Sequence, residues 1–480
     1  MDQLHLRQHQ RENVAFLRGR QGAAILDEQG LGKSCSVIAY LEELQKSKGR
    51  PLRVLIACPA TIMHTWAAEV RKFSTILEPC VIEGTKAKRL RLLRSEFDVG
   101  VTYIVNYEFV RALRGKHGKG PDNLSRFNPI WDVIVADEMT RLKTRTSATS
   151  RSFHDFVRNS PKTIRIGMTG TPITNSPLDA FSQYMFVDPA VFGTRYPEFE
   201  SRYANTRLAD FGNGSFRQVT GYRNLEDLTQ RIHKVSIRHE KSKCTDLPAK
   251  THQKIILEFD KEQSRVYQEL KNDLIAESEG KVVTAANALA RLSKLQQITS
   301  GFFYNVTNHD RKEAVRVGKK NPKTAALIDL VNDASGPVVV WCRFRACLDL
   351  VSDALNDAGI SHGVFRSELT PEERGKMSDD FQAGKFRVIV AQTVIAQFGL
   401  TWTRASTAIF YSQSFSVEEM LQAQDRIHRI GQTNPCTYYY LTIKGSVDEA
   451  CYGAVMSKSK IGRAIAGQDF KALAEGKVNE

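Results

Sequence analysis

Two stretches of the chain alternate short apolar runs with longer amphipathic ones. The first carries apolar runs at 23–26 (AAIL), 53–58 (RVLIAC), 101–105 (VTYIV), 132–136 (DVIVA) and 164–168 (IRIGM), with helix-like segments between them, such as 34–48 and 61–73. The second carries runs at 337–342 (PVVVWC), 387–391 (RVIVA), 407–411 (TAIFY) and 437–443 (TYYYLTI), separated by helix-like segments at 345–358 and 371–383. Short apolar runs with helices between them predict strands buried on both faces of a parallel sheet, so each stretch predicts an α/β lobe.

The region between them, 186–320, lacks this rhythm. It opens with a turn-rich stretch at 195–223 bearing arginines and aromatics around FGNGS, continues with predicted helices at 260–279 and 283–299, and ends in the basic run RKEAVRVGKKNPK (311–323). The expected organisation is a first lobe over 1–185, a mainly helical insertion and linker over 186–320, a second lobe over 321–465 and a tail over 466–480. A chain of 480 residues exceeds what a single core holds, which agrees with two lobes.

Charge and cysteine content narrow the function. The net charge of +15 favours a polyanionic partner through phosphate neutralisation, although much of it can equally be solvated surface. The eight cysteines form no C-x-x-C pair and no zinc spacing, and they read as reduced, packed thiols. The polar start MDQLHLRQHQREN has no apolar centre, and no run is long enough to span a membrane, so the expected location is intracellular: cytoplasm or nucleoid, or the nucleus in a eukaryote.

Three segments carry candidate chemistry. DEQGLGKS (27–34) directly follows AAIL. A strand that ends in a glycine loop opening a helix aims backbone N–H groups at phosphates. Gly30, Leu31 and Gly32 form that loop, Lys33 suits the β- and γ-phosphates, and Ser34 suits Mg²⁺. Asp27 stands where the common phosphate loop has glycine. In VIVADEMT (133–140) a buried strand ends in two acids; Asp137 suits Mg²⁺, through water, and Glu138 suits polarisation of an attacking water. In QAQDRIHRIGQ (422–432), Arg426 and Arg429 are three apart, which places them on one face if the segment is helical. They suit charge on a transferring phosphoryl group. Each segment alone also reads blandly, as a glycine turn, an acidic strand end and a basic surface helix.

Taken together, these segments resemble the Swi/Snf-type ATPases of helicase superfamily two. DEQGLGKS matches that family's D-E-x-G-L-G-K-[ST], MTGTPITN (168–175) its T-G-T-P-x-x-N, and QAQDRIHRIGQ its arginine motif. LRQHQRENVAFL (6–17), LIACPATIMHTWAAEV (55–70) and LSKLQQITSG (292–301) are similar to further family segments, and the likeness covers nearly the whole chain. The resemblance implies two RecA-like lobes, ATP and Mg²⁺ as cofactors, and Gln10 as the adenine-reading glutamine. It implies motion along duplex DNA, with arginines of the second lobe closing over the nucleotide. It also assigns contacts with the nucleic-acid backbone to Pro59, Ala60, Thr61, Asn106, Tyr107, Thr393 and Gly399.

The sequence departs from the family pattern in two places. Met139 and Thr140 follow the acid pair where the family has [AS]-[HQ], and IAQFGLTW (395–402) stands for A-G-G-x-G-I-N-L. The latter is similar to the branch that includes annealing helicases and fork remodellers. Trp66 and Trp402 are candidates for stacking on bases, but Trp66 shares a helical pattern with Ile62 and Val70 and reads as core. The expected function is an ATP-driven translocase on duplex, forked or branched DNA. The alternatives are a strand-separating or branch-migrating helicase, an RNA-polymerase-associated recycling motor, and a nucleic-acid binder with a dead ATPase core.

Overall fold

The structure is a computed structural model. It describes residues 6–95, 100–114, 131–170, 172–173, 176–210, 215–244, 247–276, 285–306, 312–318, 321–398, 400–414, 416–449, 451–453 and 456. These fall into two compact units, Met1–Asp246 and Leu247–Ser457.

The strands of the first unit are β1 (Gly22–Ile25), β2 (Val54–Cys58), β3 (Glu78–Val81), β4 (Val101–Asn106), β5 (Val133–Asp137), β6 (Ile164–Met168), β7 (Ala204–Asp210), β8 (Ser215–Tyr222) and β9 (Ser236–Ile237). Seven of them form one sheet in the order β3-β4-β2-β5-β6-β1-β9, and every pairing is parallel. Alternate side chains enter opposite cores. Leu55, Ala57, Ile134 and Ala136 pack on one face, and Val54, Ile56, Val133 and Val135 on the other. That two-sided burial is why these strands read as continuous apolar runs. β7 and β8 pair with each other as an antiparallel ladder.

The second unit contains β10 (Lys250–Leu257), β11 (Phe302–Val306), β12 (Lys312–Arg316), β13 (Val338–Cys342), β14 (His362–Phe365), β15 (Val388–Gln392), β16 (Thr407–Phe410) and β17 (Cys436–Ile443). Its sheet runs β10-β17-β16-β13-β15-β14, again wholly parallel. Val339, Trp341, Ile389 and Ala391 enter one core, and Val338, Val340, Val388 and Val390 the other. The two α/β lobes expected from the pattern are therefore present. Within the second unit, after β10, the helices Lys261–Ala276 and Ala285–Thr299 stand where helices were predicted, accompanied by the antiparallel pair β11–β12.

The sequence pattern located the inner strands and missed β3, β9 and β14; β10, with Lys250, Thr251, His252 and Gln253 exposed, carries no long apolar run either. All four are edges of the sheets. An edge strand is covered on fewer sides, so its composition is freer and its apolar signal weaker. Among the described residues no helix is long and apolar enough to cross a membrane.

Candidate active site

In a parallel sheet the carboxyl ends of all strands lie along one edge, where ligands collect. In the first unit, Ile25 of β1, Met168 of β6 and Asp137 of β5 share one row of the ladder. The loops leaving these three strands carry the glycine loop, Thr169-Gly170 and the acid pair.

The glycine loop turns on two left-handed residues, Gly30 (φ 86°) and Gly32 (φ 76°), a conformation that costs an L-residue about 1–2 kcal/mol. Gly32 is further constrained, because a Cβ there would lie 2.5 Å from the Gln10 amide nitrogen. The helix Lys33–Lys48 begins at the next residue, so its unpaired N–H groups open into the loop. Lys33 Nζ donates to the backbone carbonyl of Asp27 at 2.9 Å. A cation that rests on its own loop's carbonyl is free to exchange it for a stronger acceptor such as phosphate. Gln10 lies beside the loop: its Oε1 accepts from Arg7 N–H (3.0 Å) and its Nε2 donates to Leu31 O (3.2 Å). Gly170 closes the loop's other side, where an added Cβ would press on Gln29 and the Asp27 carbonyl.

The acid pair is built from different supports. Asp137 is buried. Its Oδ2 accepts from Trp66 Nε1 at 2.7 Å, and its Oδ1 accepts from Glu138 N–H at 3.0 Å. Burial pushes the Asp137 carboxyl above the usual carboxylate range; the Trp66 N–H, the Lys33 charge and the Glu138 N–H pull the other way. Glu138 holds a left-handed backbone (φ 54°, ψ 57°), and its Oε2 accepts from Thr169 Oγ1 at 3.4 Å. A non-glycine residue in that conformation stores about 1–3 kcal/mol of strain. Behind the pair, Tyr107 OH donates to the Asp137 carbonyl at 2.7 Å. Met139, the first departure from the family pattern, is fully buried against Gly167, where even a methyl group would collide with its sulfur.

Other expected site residues are placed as follows. Pro59, Ala60 and Thr61 follow β2, and Asn106 and Tyr107 stand at the end of neighbouring β4. Ala60 is exposed, and Asn106 Oδ1 accepts from Phe109 N–H at 2.8 Å. Tyr107 differs from the expectation of a nucleic-acid contact. Its ring is buried and its hydroxyl is committed to Asp137, so its side chain supports the acid pair from inside the lobe. Thr393 is also buried, and Gly399 lies outside the described residues, as do Thr174 and Asn175 of the MTGTPITN segment.

Arg426 and Arg429 are not on a helix. The helix Val417–Gln424 ends before them, with Tyr438 OH donating to the carbonyl of Gln424. The two arginines converge all the same: Arg426 Nη1 (3.0 Å) and Arg429 Nη1 (3.2 Å) both donate to Leu400 O. Gln432 fixes the turns, donating to the carbonyls of Thr403, Ala405 and Ile427. Neither tryptophan is a stacking platform. Trp66 is the Asp137 donor, and Trp402 is buried among Trp341, Phe365 and Phe381 with its N–H on Ser378 Oγ.

Sequence reasoning missed Trp66 and Tyr107 as supports of the acid pair, because neither spacing nor residue type shows which polar atom a core aromatic meets. It also missed His239, bonded to Asp27 of the glycine loop from more than 200 positions away.

Two parallel-sheet lobes, the first carrying a phosphate-type glycine loop and an acid pair on nearby strand ends, define the core of a helicase-like ATPase. The SNF2-related domain matches residues 9–303, and the helicase conserved C-terminal domain matches 322–431. The chain belongs to the SNF2-related family, whose members use ATP. It is 26% identical over 476 residues to "Chromodomain-helicase-DNA-binding protein 1-like" of Danio rerio, covering 95% of this chain and 44% of that protein. It is 26% identical over 483 residues to "DNA annealing helicase and endonuclease ZRANB3" of Mus musculus, covering 97% and 41%. The chain thus spans less than half the length of these curated relatives. A solved Sulfolobus solfataricus SWI2/SNF2 ATPase core in complex with dsDNA aligns at 22% identity and a TM-score of 0.44, over 96% of this chain and 97% of that one.

Proposed function

We propose that the protein is an ATP-driven translocase on duplex DNA. The observation that carries this reading is the first unit's site: a glycine loop with a labile Lys33 contact and a supported acid pair, in a chain of the SNF2-related family. The names of its relatives point to DNA as the polymer, and the net charge of +15 suits phosphate contacts.

In this reading Lys33 and the N–H groups opening the helix Lys33–Lys48 hold the phosphates, and Gln10 reads adenine. The donor set fits Mg²⁺: the Ser34 hydroxyl and the Asp137 carboxylate are hard oxygen ligands, and the Asp137 oxygens keep lone pairs beyond those used by Trp66 and Glu138. The ion would supply charge neutralisation at the phosphates. Glu138 orients and polarises the attacking water, and Arg426 and Arg429 stabilise charge on the departing γ-phosphoryl. Contacts with the DNA backbone fall to Pro59, Ala60, Thr61, Asn106 and Gly399; the side chain of Thr393, buried like that of Tyr107, is not among them. Eight free thiols fit a reducing, intracellular setting.

The test compares ATPase turnover without nucleic acid and with single strands, duplex, forked DNA and RNA. It is run beside strand-displacement assays on a triplex and on a tailed duplex. Duplex-stimulated turnover, triplex displacement and little unwinding of the tailed duplex are expected. Affinity should fall with salt, with a slope of about 0.9 per phosphate contact. Stimulation by RNA alone, or robust unwinding of the tailed duplex without triplex displacement, overturns the reading.

A further inference from the structure

Asp27 occupies the position where the common phosphate loop has glycine, and its carboxylate is completely buried. A buried carboxylate needs donors. Asn13 Nδ2 donates to its Oδ2 at 2.6 Å. Its Oδ1 accepts twice from one residue, from His239 N–H at 2.9 Å and from His239 Nδ1 at 2.8 Å. The other ring nitrogen, Nε2, lies 2.8 Å from Glu12 Oε2. Both ring nitrogens therefore face carboxylate oxygens. A neutral imidazole has one N–H and would set a lone pair against one of them; only the imidazolium donates to both.

This contact joins three parts of the site. Glu12 and Asn13 lie on the helix Gln8–Leu17, which also carries His9 and Gln10, both bonded to Leu31 O. The Asp27 backbone carbonyl is the acceptor that holds Lys33. His239 follows β9, and its own carbonyl accepts from Glu28 N–H at 3.1 Å. We infer that His239 is a positioning residue for the nucleotide loop, whose imidazolium latches Asp27 to Glu12 and so sets the affinity for ATP. The inference rests on the reading of this loop as the ATP site.

Hydrogen bonding to Asp27 raises the His239 pKa above the ordinary histidine value, with the Asp27 charge and Glu12 adding to it and burial opposing. The other charged groups at the latch are Glu28, whose Oε2 accepts from Lys241 N–H, and Arg238, 3.8 Å from Glu28 Oε1. His9 stands ring to ring with His239 at 5.8 Å, and the Cys244 thiol feels Asp27, Glu12, Glu240 and Glu28. Of these groups, it is the Asp27 and Glu12 carboxylates, both bonded to the ring, that favour the proton. Because the folded pKa is raised, the latch is complete below the ordinary histidine pKa, as long as the two carboxylates stay ionised, and is lost as pH rises through the raised value. Glu12 is half exposed and Asp27 fully buried, so the remaining proton stays on Nδ1 and the Glu12 arm lets go first.

The experiment measures ATPγS affinity with Mg²⁺ on the full chain by calorimetry from about pH 6 to about pH 9, together with the NMR titration of the His239 ring. Wild type should bind about tenfold more weakly at the alkaline end, the scale of one charge-assisted hydrogen bond. Glu12→Gln, a change on a half-exposed side chain, should keep the fold and shift both midpoints to lower pH. His239→Gln should bind at the weak level throughout. Affinity that ignores the His239 titration, or a Glu12→Gln midpoint that does not move, overturns the latch and leaves the ATP site standing. Failure to bind ATPγS at every pH overturns both.

Discussion

Trp66→Phe tests the architecture of the acid pair most directly. Trp66 is 2% exposed and gives the buried Asp137 carboxylate its only side-chain donor seen among the described residues, at 2.7 Å. Phenylalanine keeps most of the volume and removes the N–H. A hydrogen bond to a charged group contributes about 1.5–3 kcal/mol. If Asp137 needs that bond to stay ionised and aligned in the transition state, turnover should drop about 10- to 150-fold, at about 1.4 kcal/mol per decade. The smaller ring also leaves a cavity, which should cost about 1–3 kcal/mol of stability. Trp341→Phe separates the two effects. Trp341 is as deeply buried, but its Nε1 has no hydrogen-bond partner among the described residues. It should lose comparable stability and keep its turnover. The assay is kcat and KM for ATP hydrolysis, with Tm measured in parallel. A folded Trp66→Phe variant with kcat within about twofold of wild type would refute the reasoning.

Further outcomes follow from the same geometry. Glu138→Gln should bind ATP and stall, and Arg429→Ala should lose about three orders of magnitude in turnover or more while keeping nucleotide affinity; near-normal single-turnover rates in both would remove the proposed mechanism. In the second unit, Lys323 and Asp448 form an ion pair at 2.6 Å with side-chain exposures of 0% and 2%. Lys323→Met leaves the buried Asp448 carboxylate with its Thr299 Oγ1 and Ile443 N–H donors but without a counter-charge, and should cost about 3–5 kcal/mol, read as a lower urea midpoint, whereas Lys323→Met with Asp448→Asn should recover part of the loss. An unchanged midpoint in the single variant would show that the pair is not stabilising.

What the sequence determined by itself is whatever depends on local order. The inner strands were legible because burial on both faces demands unbroken apolar runs such as VLIAC and VIVA. DEQGLGKS was legible because a glycine loop must sit between its strand and its helix, and the left-handed backbone of Gly32 favours glycine. Tertiary structure decided what depends on distant residues meeting. Edge strands such as β3 and β9 exist because a sheet offers them a free side, not because Glu78–Val81 or Ser236–Ile237 is strongly apolar. Arg426 and Arg429 share an acceptor although no helix aligns them, because the Leu400 carbonyl lies within reach of both. Tyr107, expected at a nucleic-acid surface, supports Asp137 from within, and Trp66 is a donor as well as a core residue. His239 reaches Asp27 across 212 positions, a partnership that periodicity cannot encode because it arises only when β9 is laid beside β1.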